Sequence, residues 1–111
     1  MTLLLLQSED FLLDLEGQFR WYINQSGLEF SEGVKLAEDF KISVLETLEF
    51  LLKNPGIGRK RFPQFADLEG TRSWRVTPPF NRFLIYYHVE NDRLLVDRLI
   101  EGHRRIATDK G

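Results

Sequence analysis

The sequence predicts an α+β domain in which a helical hairpin packs on a small, mainly antiparallel sheet, in the order β-α-α-β-β-β. Three observations carry that expectation. Two segments repeat apolar residues at three- and four-residue spacing, so each presents one helix face. A short apolar run precedes them and three strand-like runs follow. The last two runs are separated only by Asn91-Asp92, residues that tolerate the backbone of a tight hairpin. Strands grouped beside a helix pair, rather than alternating with helices, fit an antiparallel sheet covered on one face.

The elements follow in order. Thr2 to Gln7 is short and apolar and is expected to be a first strand buried on both sides. Ser8 is suited to cap a helix, with Glu9 and Asp10 favourably placed against the dipole of its first turn. Phe11, Leu12, Leu15, Phe19, Tyr22 and Ile23 form its apolar face, and Asn24-Gln25-Ser26-Gly27 breaks the pattern. Ser31 is expected to cap the second helix, whose stripe is Ala37, Phe40, Val44, Leu48, Leu51 and Leu52. Asn54-Pro55-Gly56 ends it, because proline lacks the amide that would continue the ladder.

Residues 55–70 show no period and read as a loop carrying the basic cluster Arg59-Lys60-Arg61. Thr71 to Thr77 alternates moderately and stops at Pro78-Pro79. A two-residue turn between Arg82–Val89 and Arg93–Ile100 would set Val89 opposite Leu94, Tyr87 opposite Val96, Ile85 opposite Arg98 and Phe83 opposite Ile100. Arg98 then falls on an apolar face, where a cation needs a partner, and a helix carboxylate is the expected one. The second face of this hairpin would carry Arg82, Leu84, Tyr86, His88, Leu95, Asp97, Leu99 and Glu101.

With 111 residues the chain is one domain, 1–111, around a single core. Cysteine is absent, which excludes disulfides and thiolate chemistry, and two histidines offer no metal constellation. No cofactor is expected: there is no glycine-rich phosphate loop and no nucleophilic triad. The run Leu3-Leu4-Leu5-Leu6 is too short for a signal core or a membrane span, so a cytoplasmic protein is expected. Residues 1–54 carry four basic and ten acidic side chains, whereas residues 55–111 carry eleven and seven. The C-terminal half is therefore expected to bear a basic working face.

Several stretches resemble the RelE/ParE toxin superfamily of bacterial toxin–antitoxin systems. They are Asp14-Leu15, then Trp21-Tyr22, and a helix ending in Asn54-Pro55 with Gly58 following. Arg72 sits where the family opens its second strand with arginine. "FLIYYHV" is similar to the family's "YLIFYRV", and "RLIEGHRRI" to "RVLHGxRDI", matching at Arg98, Gly102, Arg104 and Ile106. Glu101 and Arg105 depart from the histidine and aspartate often found there.

The resemblance implies a small antitoxin protein as partner, whose flexible segment lays a helix in a groove or adds a strand. It implies one of two activities. ParE-like members bind DNA gyrase without chemistry of their own, as in systems that stabilise plasmids; RelE-like members cleave messenger RNA in the ribosome. A nontoxic binding module of the same fold is a further alternative. For the nuclease branch, Arg75 stands near a lysine position, Arg104 matches the C-terminal arginine, and His103 is placed as the proton-transfer group. The companion positions fall on Thr77, Leu84 and near Lys110, which lack the expected chemistry. The fuller match to ParE-like strands favours gyrase binding. The expected contact residues for target or antitoxin are Arg59, Lys60, Arg61, Arg72, Arg82, Arg98, Arg104 and Arg105.

Overall fold

The structure is a computed structural model, and it describes residues 3–25, 27, 29–61 and 70–102. These form β1 (Leu4–Gln7), α1 (Glu9–Ile23), α2 (Phe30–Lys53), β2 (Arg59–Lys60), β3 (Arg72–Arg75), β4 (Phe83–Glu90) and β5 (Arg93–Glu101). The sheet order is β1-β5-β4-β3-β2; β1 runs parallel to β5, and the other neighbours are antiparallel. The α+β hairpin-on-sheet architecture is the expected one, with one strand more.

That extra strand is β2. Two residues of a segment expected to be loop pair with β3, Arg59 opposite Ser73 and Lys60 opposite Arg72. Two residues are too few to leave a period in sequence. The first strand also differs from expectation. It lies at the sheet edge with Leu4 and Leu6 exposed, because its apolar run covers only one flank of β5.

Ser8 caps α1 as expected: its Oγ accepts from the Phe11 amide at 2.9 Å and donates to the Asp97 carbonyl at 2.8 Å. The second helix starts one residue earlier than Ser31. Glu29 is its cap, and the Glu32 carboxylate accepts from the Glu29 amide at 3.1 Å, so the reciprocal box outcompetes the serine.

Phe11, Phe40, Val44, Leu48 and Leu51 of the helices meet Ile85, Tyr87, Leu94 and Val96 of the sheet in the core. Phe40 stands among Tyr22, Phe80 and Phe83 with ring centres 5.0–5.3 Å away, in tilted and edge-to-face contacts. Leu12, counted on the inner face by its spacing, is about half exposed.

Asn91 takes the left-handed backbone of the hairpin, φ 59°. Val89 pairs with Leu94 and Tyr87 with Val96, as expected from a two-residue turn. Beyond them a bulge shifts the register, so Tyr86 pairs with Arg98, Ile85 with Leu99 and Leu84 with Ile100. Ile85 therefore does not face Arg98, and Leu99 turns into the core rather than to the second face. An extra residue in one strand reverses the facing of everything after it.

A candidate contact surface lined by arginines

Strand alternation sorts the basic residues. Phe83, Ile85 and Tyr87 face the helices, so Leu84 and Tyr86 face the other side of the sheet. Ser73 pairs with Tyr86, Arg75 with Leu84 and Arg59 with Ser73, which puts Arg59, Ser73 and Arg75 on that same open face. Arg61, two residues past Arg59, continues this row. There a cleft of about 560 Å³ is lined by Arg59, Arg61, Ser73, Trp74, Arg75, Arg82, Leu84 and Gly102. Lys60 and Arg72 have the opposite parity and do not line it.

Three of the four guanidiniums are held by the surrounding fold. Arg61 Nε donates to Ser73 Oγ at 2.7 Å, and Arg75 Nη1 to the Asn81 carbonyl at 3.2 Å. Arg82 Nη2 donates to the Tyr22 hydroxyl at 3.0 Å, and its Nε lies 3.7 Å from the Glu101 carboxylate. Burial of the Tyr22 hydroxyl pushes its pKa up, opposed by the Arg82 charge beside it. Each anchored arginine keeps further N–H groups for a planar oxyanion, which a guanidinium fork can meet at two points. The floor is apolar at Leu84 and polar at the buried Ser73. Such a cleft suits carboxylate or phosphate groups carried by a partner that also has an apolar contact to offer.

Other expected contact residues have structural partners. Arg72 Nη1 donates to the Gly58 carbonyl at 2.8 Å and the Gly56 carbonyl at 3.2 Å, tying down the loop after α2. The Tyr87 hydroxyl holds the same loop, donating to the Pro55 carbonyl at 2.8 Å and accepting from the Gly58 amide at 2.9 Å. Burial pushes its pKa up. Arg98 pairs with Asp14, the helix carboxylate anticipated for it; these hydrogen bonds push the guanidinium further above its ordinary pKa. Lys60 is exposed on β2.

His103, Arg104 and Arg105 lie outside the described residues, as do Ile106 and Lys110. Thr77, at a companion position of the nuclease set, has its hydroxyl 3.0 Å from that of Thr47 on α2, and its amide donates to Thr47 Oγ1. His88 Nδ1 lies 2.8 Å from Asp97 Oδ2, a pair on the face where strand alternation puts both residues. Among the described residues no three carboxylates or histidines are grouped to hold a metal, and no helix is long and apolar enough to cross a membrane.

Sequence reasoning missed Ser73, Trp74, Leu84 and Gly102 as cleft residues. The alternation along each strand was visible, but the neighbour that completes the cleft, β2, was not.

Neither a family model nor a curated protein matches the chain. Among solved structures, a chain of the chromosomal ParDE TA system from P. aeruginosa superposes with a TM-score of 0.67 at 18% identity, over 90% of this chain and 96% of that one. The conserved hypothetical protein HP0894 from Helicobacter pylori is a looser likeness, with a TM-score of 0.42 at 20% identity over 89% of this chain and 93% of its own. The ParDE likeness spans nearly the full length of both chains and includes the helical hairpin and the sheet. In fold, the chain is similar to that ParDE chain.

Proposed function

We propose that the protein is the toxin of a type II toxin–antitoxin system, acting in the ParE manner by binding DNA gyrase and held in check by a cognate antitoxin. The observation that carries this reading is the convergence of Arg59, Arg61, Arg75 and Arg82 on one cleft of a ParE-like fold. Three of these side chains are fixed in advance by bonds to the fold, which lowers the ordering cost of binding an acidic partner surface. The antitoxin occupies or overlaps this cleft and so competes with the target.

A second reading rests on the same arginines. A cleft that receives carboxylates also receives phosphates, and Arg75 stands in it; cleavage of messenger RNA in the ribosome would then use Arg104 and His103 with Arg75. The positions occupied by Thr77 and Leu84 supply no cation to that chemistry, and this favours the binding reading.

A supercoiling assay separates the two. Purified chain is titrated into gyrase, with and without the product of the neighbouring gene. Inhibition relieved by that product supports the ParE-like reading. Full supercoiling at saturating toxin, together with ribosome-dependent cleavage that Arg104→Ala abolishes, establishes the nuclease reading instead.

A further inference from the structure

The two edges of the sheet are unlike. At one edge β2 is two residues long and both are charged, a combination that discourages pairing with another chain. At the other edge β1, Leu4–Gln7, carries neither charge nor proline. Leu4 is 59% exposed and Leu6 38% exposed on it. Among the described residues, none pairs with the outer side of β1.

The backbone of β1 fixes what that edge offers. The Leu4 amide donates to the Asp92 carbonyl at 2.9 Å and the Ser8 amide to the Val96 carbonyl at 3.0 Å. In a parallel ladder the even-numbered residues therefore turn both backbone groups toward β5. Leu3, Leu5 and Gln7 turn theirs outward.

We propose that β1 pairs antiparallel with β1 of a second copy of this chain, centred on Leu5, joining two sheets into one. Leu5 then faces Leu5 of the second copy, and the two exchange both N–H···O bonds. Leu3 faces Gln7 on either side of the two-fold axis. Leu4 faces Leu6 at the positions between, where opposed strands come closest, at a Cα separation of about 4.5 Å. The four exposed leucines, two from each copy, then cover one another on one face. A two-fold interface requires a patch complementary to itself, and this stretch has leucine at both positions beside Leu5 and no charge to repel its twin. No residue of β1 lines the arginine cleft, so both copies keep it open. One strand pair is a small interface, so the expected dissociation constant is on the order of 10–100 μM.

Sedimentation across that concentration range tests the idea. The wild type is expected to pass from monomer to dimer. Leu4→Lys is expected to weaken association at least tenfold. Leu4→Lys combined with Leu6→Glu sets opposite charges across each pair and is expected to restore it, with thermal melts confirming that both variants fold. Amide exchange on the unmodified chain supplies a second readout: the Leu5 amide slows as concentration rises, whereas the Leu6 amide, already bonded to β5, is protected throughout. A monomer at every concentration, a dimer indifferent to Leu4→Lys, failure of the double variant to reassociate, or a concentration-independent Leu5 amide would each overturn the proposal.

Discussion

The carboxylate of Asp14 on α1 holds three donors of β5 at once: Arg98 Nε at 2.7 Å, Arg98 Nη2 at 3.1 Å and the Leu99 amide at 2.9 Å. Strand β1 pairs with β5 only as far as Gln7 opposite Val96. Beyond that point the edge of β5 would lack partners, and the first helix supplies them: Ser8 takes the Asp97 carbonyl and Asp14 takes the Leu99 amide. The helix thereby extends the sheet by two side chains.

Asp14→Ala is accordingly expected to destabilise the fold by about 2 kcal/mol, the range for hydrogen bonds to a charged group of which one donor is main-chain. Arg98→Ala is expected to cost less, about 1 kcal/mol, because its side chain is half exposed and leaves the Leu99 bond intact. Urea melts of the two variants and their double mutant give the ordering and the coupling. Equal costs for both single variants would contradict the account.

The loop after α2 is closed by Tyr87 and by the absence of a side chain at Gly58. A Cβ there would meet the Tyr87 ring, with Cε1 and Cζ at 2.8 Å and the hydroxyl oxygen nearer still. Gly58→Ala is expected to cost about 1–3 kcal/mol through this overlap. Tyr87→Phe leaves the Pro55 carbonyl and the Gly58 amide without their partner and is expected to cost about 1–2 kcal/mol. Denaturation midpoints of the two variants check both values.

Burial raises the pKa of the Tyr22 and Tyr87 hydroxyls in the folded protein above the ordinary tyrosine value of about 10. Their contribution to stability is fully present below about pH 10, the value for an unfolded tyrosine, and is lost as pH rises through the folded value. Stability is therefore expected to fall above pH 10, and to fall less steeply in Tyr87→Phe than in the wild type. Melts between neutral pH and pH 11.5, on the order of one unit past the tyrosine value, decide the comparison.

Much of the frame was legible in the sequence. Ala37, Phe40, Val44, Leu48 and Leu51 recur often enough that only a buried helix face explains them, and Asn91-Asp92 marks its own turn. The bulge at Asp97 was not legible, since a single extra residue leaves no signal until both strands are paired. The run Leu3 to Leu6 looked buried because apolar runs usually are; its place at the edge depends on which strands lie beside it. The arginines of the cleft were visible one by one. Their convergence, and the diversion of Arg72 and Arg98 to structural partners, follow from strand parity and from a two-residue strand.

The most direct test of the proposed function measures gyrase binding by calorimetry, comparing the wild type with Arg59→Glu/Arg75→Glu and with Lys60→Glu. The substituted side chains are all exposed, so the three proteins are expected to melt alike. The account predicts that the cleft variant binds at least tenfold more weakly, about 1.4 kcal/mol, while Lys60→Glu, on the other side of β2, binds as the wild type does. Equal affinity across all three would contradict it, for the arginine cleft would then have no part in recognising gyrase.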